Sequence, residues 1–430
     1  MDKQKVFCPL PWIHFSTHVD GSVRMCCGGA YVKNISAKTA TLDDIFNSPV
    51  YKKIRKQMMN NEKPIECNWC WKEERLLARS YRFGAYWEHR DRIYDKAIEH
   101  TQQDGTIDID VISPEYLDLR FSNKCTQKCR SCGPLSSNLW YDDNVKLAKE
   151  APKLNQNYLM EYRQLINLTK NKQIFLNSES YKDYFSDWGV SFNKDLNRHI
   201  THVKKLYFAG GEPLIQQSMW ELLKTCINSD VAKNIDVQYS SNISTIPSYA
   251  YDIWKHFKSV HIYASIDGYS SGYEYLRHPT KWRQIVKNLK KLDSSNAVSV
   301  SFSPIISIFN IFNIAELQAW ILEQNFKNIK SEIRLGFVNS PKYLDINLFS
   351  DLARQKIINF YEKFIHQQDN PEIINQFNLI KNYLINSTLP FDSETHRKIF
   401  FDTTRELDLI RSESFKDTFS EVYELMEKTV

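Results

Sequence analysis

The residues best suited to chemistry are cysteines, and they are unevenly placed. Eight of the nine lie at 8, 26, 27, 67, 70, 125, 129 and 132, and the ninth is Cys226. The run Cys125-Thr-Gln-Lys-Cys129-Arg-Ser-Cys132 offers three thiolates at x3 and x2 spacing. Such a loop can hold three irons of a 4Fe-4S cluster and leave the fourth without a protein ligand. An open iron can coordinate a substrate and pass it an electron. The competing use is a zinc knuckle with His202 or a distant cysteine as fourth donor. A second constellation is Cys8, Cys26 or its neighbour Cys27, Cys67 and Cys70. Four thiolates can fill every iron of a cubane cluster or bind one zinc, and spacing alone does not choose between them. The third feature is Tyr207-Phe208-Ala209-Gly210-Gly211-Glu212-Pro213. Two glycines at a strand end let the backbone approach a ligand closely, and Glu212 can accept hydrogen bonds from an ammonium group. Alone, that motif is equally a plain turn. Cys226, beside Leu222 and Leu223, reads as a small buried helix residue. His14 and His18 flank the N-terminal cysteine loop and suit a structural role better than ligation.

These groups need elements to position them. Tyr116–Phe121 alternates apolar and charged residues, which is a strand period, and it runs directly into the three-cysteine loop. Further strands are expected at 203–209, 236–241, 260–266, 297–306 and 333–338, and helices between them at 214–228, 249–257, 282–292 and 314–324. Six strands alternating with helices imply parallel βα units. Six are too few for a closed eight-stranded barrel, so the expected fold class is α/β with a partial (β/α)6 TIM-like barrel. Reactive groups then belong at the C-terminal strand ends. Ser241 and Asn242 end one such strand, and Ser265 and Asp267 end the next. The expected organisation is a cysteine-rich module at 1–75, a helical connector at 76–114, the barrel at 115–340 with a mainly helical insertion at 133–200, and a C-terminal helical region at 341–430. A helix is expected over Thr41–Met59, and Ile357, Phe360, Tyr361 and Phe364 form a core-facing stripe in the C-terminal region.

On the three-cysteine loop and the Gly-Gly-Glu-Pro motif, in that order and on those elements, the chain resembles the radical S-adenosylmethionine (radical SAM) enzymes over roughly 115–338. The resemblance implies that Cys125, Cys129 and Cys132 ligate a 4Fe-4S cluster and that S-adenosylmethionine occupies its open iron. It implies that Gly210, Gly211 and Glu212 hold the methionine end of the cofactor. It extends to Ser241, Asn242, Ser265, Asp267 and Arg277 as further cofactor contacts. Ser131 departs from the aromatic residue usual before the third cysteine. The stretches Phe7–Trp12, Asp20–Cys27, Asp44–Ser48 with Lys52–Arg55, and Cys67–Cys70 resemble the auxiliary-cluster module called SPASM or twitch. With no cysteine between Cys70 and Cys125, the one-cluster twitch form fits better. It implies a second 4Fe-4S cluster on Cys8, Cys26, Cys67 and Cys70, with Cys26 ahead of Cys27. The module here precedes the barrel, whereas it commonly follows it.

Composition narrows the alternatives. The 430 residues suggest about two or three domains. A 42% hydrophobic and 25% charged composition is globular and excludes a disordered or coiled-coil chain. No apolar run reaches membrane-span length, and the start MDKQKVFCPLPW has no apolar signal region, so a cytoplasmic protein is expected. A net charge of +5 gives weak support to nucleic acid or a tRNA-modifying role. What the resemblance implies is an enzyme, of oxidoreductase or maturase type, that cleaves S-adenosylmethionine to a 5′-deoxyadenosyl radical and oxidises or cross-links a peptide. The alternatives are a small-molecule dehydrogenase acting on something like an aminosugar, and a non-enzymatic metal-binding protein. The enzymatic readings require a reductase, flavodoxin or ferredoxin as electron donor. No catalytic residue beyond the cluster is identified.

Overall fold

The computed structural model describes residues 6–77, 80–150, 188–189, 192, 196–338, 340–387 and 393–427. The chain divides into two units. The first comprises Met1–Ser122, Ser186–Ser240 and Ser248–His261, and the second comprises Asn123–Phe185, Ser241–Pro247 and Ile262–Val430.

The first unit is built on strands β1 (His14–Thr17), β2 (Ser22–Arg24), β3 (Tyr31–Ser36), β4 (Tyr116–Leu119), β5 (Lys205–Phe208) and β6 (Asp236–Ser241, whose last residue falls in the second unit). Their order is β6-β5-β4-β1-β2-β3. β4, β5 and β6 run parallel, with Leu117 opposite Leu206 and Leu206 opposite Val237. Alternation in β5 and β6 sends Leu206, Phe208, Val237 and Tyr239 to the buried side. There Phe208 stacks on Tyr239 at 5.6 Å, and Tyr239 meets Trp254 at 6.0 Å. Helix Gln217–Asn228 closes this layer with Trp220, Leu222, Leu223 and Cys226, all buried, so Cys226 is the core residue expected.

The N-terminal strands were not expected. All four residues of β1 are buried, so it shows no alternation. It joins β4 in parallel, with His14 opposite Tyr116 and Ser16 opposite Asp118, a long-range register that no local pattern announces. The helix expected over 41–59 is two helices, Leu42–Phe46 and Pro49–Met59. Thr41 and Asp44 form a reciprocal capping box for the first, and Pro49, lacking an N–H, opens the second. Helices Asn68–Leu77 and Tyr81–His100 follow.

The second unit holds the end of β7 (Ser259–Ala264), β8 (Ser299–Phe302), β9 (Ile305–Ile306), β10 (Ile329–Ile333) and β11 (Gly336–Phe337). β8 pairs in parallel with β10, and β9 with β11. Successive strand ends are linked by Ser265 N to Ser241 O at 2.8 Å, Ser303 N to Ala264 O at 2.8 Å and Arg334 N to Phe302 O at 2.8 Å. The strand expected at 297–306 is interrupted by Pro304, which cannot donate to a ladder. The strand expected at 333–338 begins earlier, because the polar centre of Ile329-Lys-Ser-Glu-Ile333 hides its period. Helices Trp282–Asp293 and Asn313–Gln324 match the expectation closely. Beyond β11, helices Asp351–His366, Pro371–Asn386, Ser393–Arg411 and Ser420–Glu427 form the helical C-terminal region. In its stripe, Ile357 and Tyr361 are buried, Phe360 packs on Phe312 at 4.9 Å and Phe364 on Phe377 at 4.6 Å. Parallel strands, intervening helices and a helical C-terminal region make the expected α/β class. Of the helical insertion expected at 133–200, most falls outside the described residues, and within them a helix spans Trp140–Glu150.

Candidate metal centres

The four N-terminal cysteines arrive on three separate pieces of chain in the first unit. Cys8 precedes the helical turn Leu10–Ile13, which starts on the Pro9-Leu10-Pro11 run. Cys26 sits in the tight connection after β2, closed by Gly29 N donating to Cys26 O at 2.9 Å. A Cβ at Gly28 would collide with the Trp69 ring, so only glycine lets that connection pass. Cys67 ends the turn Ile65–Cys67, and Cys70 follows in the first turn of helix Asn68–Leu77. All four thiols line one small cavity, together with Met25 and Arg82. Arg82 is anchored by Glu74 at 2.8 Å and by Phe7 O at 3.1 Å, and lies over the Trp71 ring at 4.6 Å.

Burial pushes the Cys67 thiol up to about 12, and the neighbouring Cys70 adds to the effect. Burial and then Cys67 raise Cys8, and burial above all raises Cys26, followed by the adjacent Cys27 and then Cys8, Cys70 and Cys67. Thiols that discourage one another's ionisation are stable only when protonated or when a shared cation takes the charge. Among the described residues, no three His, Cys, Asp or Glu side chains stand at the spacing of a single metal ion. Four thiols walling one cavity are the donor set that a thiolate-bound metal centre would use. Cys27 does not line the cavity. Burial and Asp118 push its thiol up to about 12. Asp118, on β4, is buried and held by Arg120 at 2.9 Å and Ser16 at 2.8 Å.

The Gly-Gly-Glu-Pro segment also belongs to the first unit and leaves the end of β5. Gly210 has φ +77° and Gly211 φ +50°. A Cβ at Gly210 would stand 2.7 Å from Arg120 Cβ and 2.9 Å from Val19 Cγ1. Buried Gln216 donates to Gly210 O at 2.7 Å and to Ser122 O at 3.3 Å, tying this loop to the end of the β4 segment. Glu212 is fully buried, and its Oε1 accepts from Leu214 N at 3.2 Å, capping the turn Pro213–Ile215.

In the second unit, the three-cysteine loop is stitched from both sides. Lys128 N donates to His278 O at 2.8 Å, Arg130 N to Leu276 O at 2.9 Å and Cys132 N to Cys129 O at 3.0 Å. Cys125 N donates to Asn138 Oδ1 at 2.9 Å, and Trp140 Nε1 to Cys129 O at 2.9 Å. Hydrogen bonding between the Cys129 and Cys132 thiols lowers the first and raises the second, and the Arg277 guanidinium favours the ionised form of both. Asn242 Nδ2 donates to Thr126 Oγ1 at 3.0 Å and stands 3.8 Å from Cys125 Sγ. Ser241 Oγ accepts from Ile243 N at 3.0 Å. Arg277 and Asp267 form a buried ion pair at 2.6 Å, and Asp267 Oδ1 also accepts from Ile305 N at 2.9 Å.

Of the residues singled out in the sequence, Cys125, Cys129, Cys132, Ser241, Asn242, Ser265, Asp267 and Arg277 therefore share the second unit. Gly210, Gly211 and Glu212 share the first unit with the N-terminal cysteines. Sequence reasoning missed Arg82, Asp118, Arg130 and Gln216. Their importance comes from partners far away in the chain, and only the charge of Arg130 inside the cysteine motif was a signal.

Residues 8–71 match the model of the SPASM family, an iron-sulfur cluster-binding domain. The fold is similar to that of Streptococcus suis SuiB bound to S-adenosylmethionine, at 12% identity, TM-score 0.34, and 89% of this chain against 75% of that one. SuiB bound to its precursor peptide SuiA gives 13% identity, TM-score 0.37, and 88% against 75%. TYW1 with a lysine-pyruvate adduct gives 14% identity, TM-score 0.27, and 57% against 70%. No curated protein matches the chain.

Proposed function

We propose that the chain is a radical SAM enzyme with an N-terminal SPASM-type iron–sulfur module, and that it oxidatively modifies a peptide. The observation that carries this reading is the convergence of Cys8, Cys26, Cys67 and Cys70 on one cavity, in a chain whose separate three-cysteine loop follows the first strand of a βα series. The N-terminal match to an iron–sulfur family supports it.

In this reading Cys125, Cys129 and Cys132 would hold one 4Fe-4S cluster and Cys8, Cys26, Cys67 and Cys70 a second. With S-adenosylmethionine bound, the first cluster would supply the electron that generates a 5′-deoxyadenosyl radical for hydrogen-atom abstraction. The chain's own residues do the positioning. Gly210 and Gly211 bring bare backbone to the methionine end, and Glu212 presents a buried carboxylate to its ammonium group. Ser241, Asn242 and Ser265 offer hydroxyl and amide groups at strand ends. Arg277, held by Asp267 at 2.6 Å, places a guanidinium beside the cysteine loop. The N-terminal site has no ligand position to spare, so it would serve electron transfer from the substrate. A peptide is supported by the sheet edge at β3, which ends the strand order and leaves, among the described residues, an edge that an extended backbone can pair with.

The test is anaerobic reconstitution with iron and sulfide, reduction, and mass spectrometry for 5′-deoxyadenosine. Deuterium from a labelled candidate peptide should appear in that product. Absence of 5′-deoxyadenosine from protein carrying a reduced cluster ends the radical reading. Transfer from a small molecule and not from a peptide ends the peptide assignment alone. Among the described residues, no helix is long and apolar enough to cross a membrane.

A further inference from the structure

Helix Trp282–Asp293 in the second unit buries Ile285, Leu289 and Leu292 and turns Arg283, Lys287, Lys290 and Lys291 to solvent. Three exposed cations elsewhere on this chain are neutralised by a carboxylate three residues away: Lys233 with Asp230, Lys255 with Asp252 and Arg405 with Asp402. Lys281, just before the helix, pairs with Glu274 at 2.8 Å. Lys287, Lys290 and Lys291 have no such partner among the described residues. The spacings Arg283 to Lys287 and Lys287 to Lys291 place like charges one turn apart, which destabilises a helix. The molecule therefore keeps this face cationic at a cost to the helix.

The face leads to the cysteine loop. A cleft of about 330 Å³ is lined by Thr126, Ser244, Thr280, Lys281, Arg283 and Gln284. Thr126 directly follows Cys125 and is hydrogen-bonded to Ser244 at 2.7 Å. The cationic surface thus reaches the residue adjoining a cluster ligand without crossing the core.

We propose that this face docks an acidic one-electron carrier protein that reduces the cluster held by Cys125, Cys129 and Cys132. The inference rests on the radical SAM reading. The carrier loses one electron and the cluster gains it, so no bond is made or broken and no proton is required. A cationic surface raises the encounter rate with an acidic partner and makes it salt-sensitive. The cleft has hydroxyl, amide and cationic groups but no aromatic ring on which a base could stack, so an acidic protein fits better than single-stranded nucleic acid.

The test uses reconstituted holoprotein carrying Lys287→Glu, Lys290→Glu and Lys291→Glu, with a bacterial flavodoxin as probe. Flavodoxin binding by titration calorimetry should weaken about tenfold or more at low salt and lose most of its salt dependence. Cluster reduction by flavodoxin hydroquinone should slow similarly, while reduction by dithionite stays at the wild-type rate. Wild-type flavodoxin affinity and rate in the variant overturn the proposal and leave the radical reading intact. A wild-type protein whose clusters accept no electron from dithionite overturns both. If the reversed variant misfolds, Lys287→Gln, Lys290→Gln and Lys291→Gln replace it, and unchanged flavodoxin binding there also overturns the proposal. So does a loss of single-stranded RNA binding with flavodoxin binding intact.

Discussion

Arg130 Nη2 donates to Glu413 Oε2 at 2.7 Å, so the residue after the second cysteine of the loop is held from the far end of the chain. The same guanidinium bonds Asp408 and lies 3.7 Å from the Tyr275 ring centroid. Glu413 also holds His278 at 2.7 Å, whose carbonyl receives Lys128 N. Beside it, Asp143 joins Lys128 and Arg411, each at 2.8 Å.

Arg130→Gln should therefore be severe. It leaves two carboxylates near each other without their shared cation, a loss of about 3–5 kcal/mol for a buried pair broken on one side. The melting temperature should fall, and reconstituted iron should be lost from the three-cysteine loop first. Arg130→Lys should recover part of the loss. Wild-type melting and iron content in Arg130→Gln would show the clamp to be dispensable.

Cys26 and Cys27 are adjacent, yet only Cys26 lines the thiol cavity. With two 4Fe-4S clusters, reconstituted wild-type protein should carry about eight irons. Cys26→Ser should fall to about four and Cys27→Ser should stay near eight. The reverse pattern by iron assay would reassign the ligand.

Glu212 has two separable tasks, because its carboxylate both caps a turn and is expected to meet an ammonium group. Glu212→Gln keeps an acceptor for Leu214 N but drops the charge. It should weaken S-adenosylmethionine binding about tenfold, the effect of roughly 1.4 kcal/mol, with little change in melting. Glu212→Ala should lose a further ~1 kcal/mol of stability with the cap. Gly210→Ala should damage both, since its Cβ would stand 2.7 Å from Arg120 Cβ at φ +77°. Calorimetric titration beside thermal melting separates the effects. Undiminished affinity in Glu212→Gln would remove the ammonium role.

His14 is fully buried and Nδ1 donates to Tyr116 O at 2.8 Å. Burial lowers its pKa from 6.5 to about 3. Between those values the unfolded chain binds a proton that the folded chain refuses. The stabilisation is complete above about 6.5 and drains away as pH falls toward about 3, a limit of several kcal/mol at ~1.4 kcal/mol per pKa unit. Urea midpoints between pH 4 and 7 should fall with pH in the wild type and fall less in His14→Gln. Parallel slopes would mean that other groups govern acid sensitivity.

Much of this was legible in the sequence where chemistry is local. The three-cysteine loop, the Gly-Gly-Glu-Pro turn and the helices at 282–293 and 313–324 depend on neighbours within a few residues. What stayed hidden depends on distant partners. Strand β1 needs β4, Arg82 needs Phe7 and Glu74, and Arg130 needs Asp408 and Glu413. The break at Ser48-Pro49 was visible as a proline but was overridden by the apolar stripe running through it.

The parallel pairing of β1 with β4 has a consequence for how the chain can be cut. A shortened chain beginning near residue 110 would not merely lack a metal site. It would bare the row of N–H and C=O groups on β4 that β1 now satisfies, and an exposed edge of that kind recruits other chains. The cysteine-rich module is thus a seal on the parallel sheet as well as a neighbour in sequence, and removing it should yield aggregates before it yields a well-behaved shorter chain.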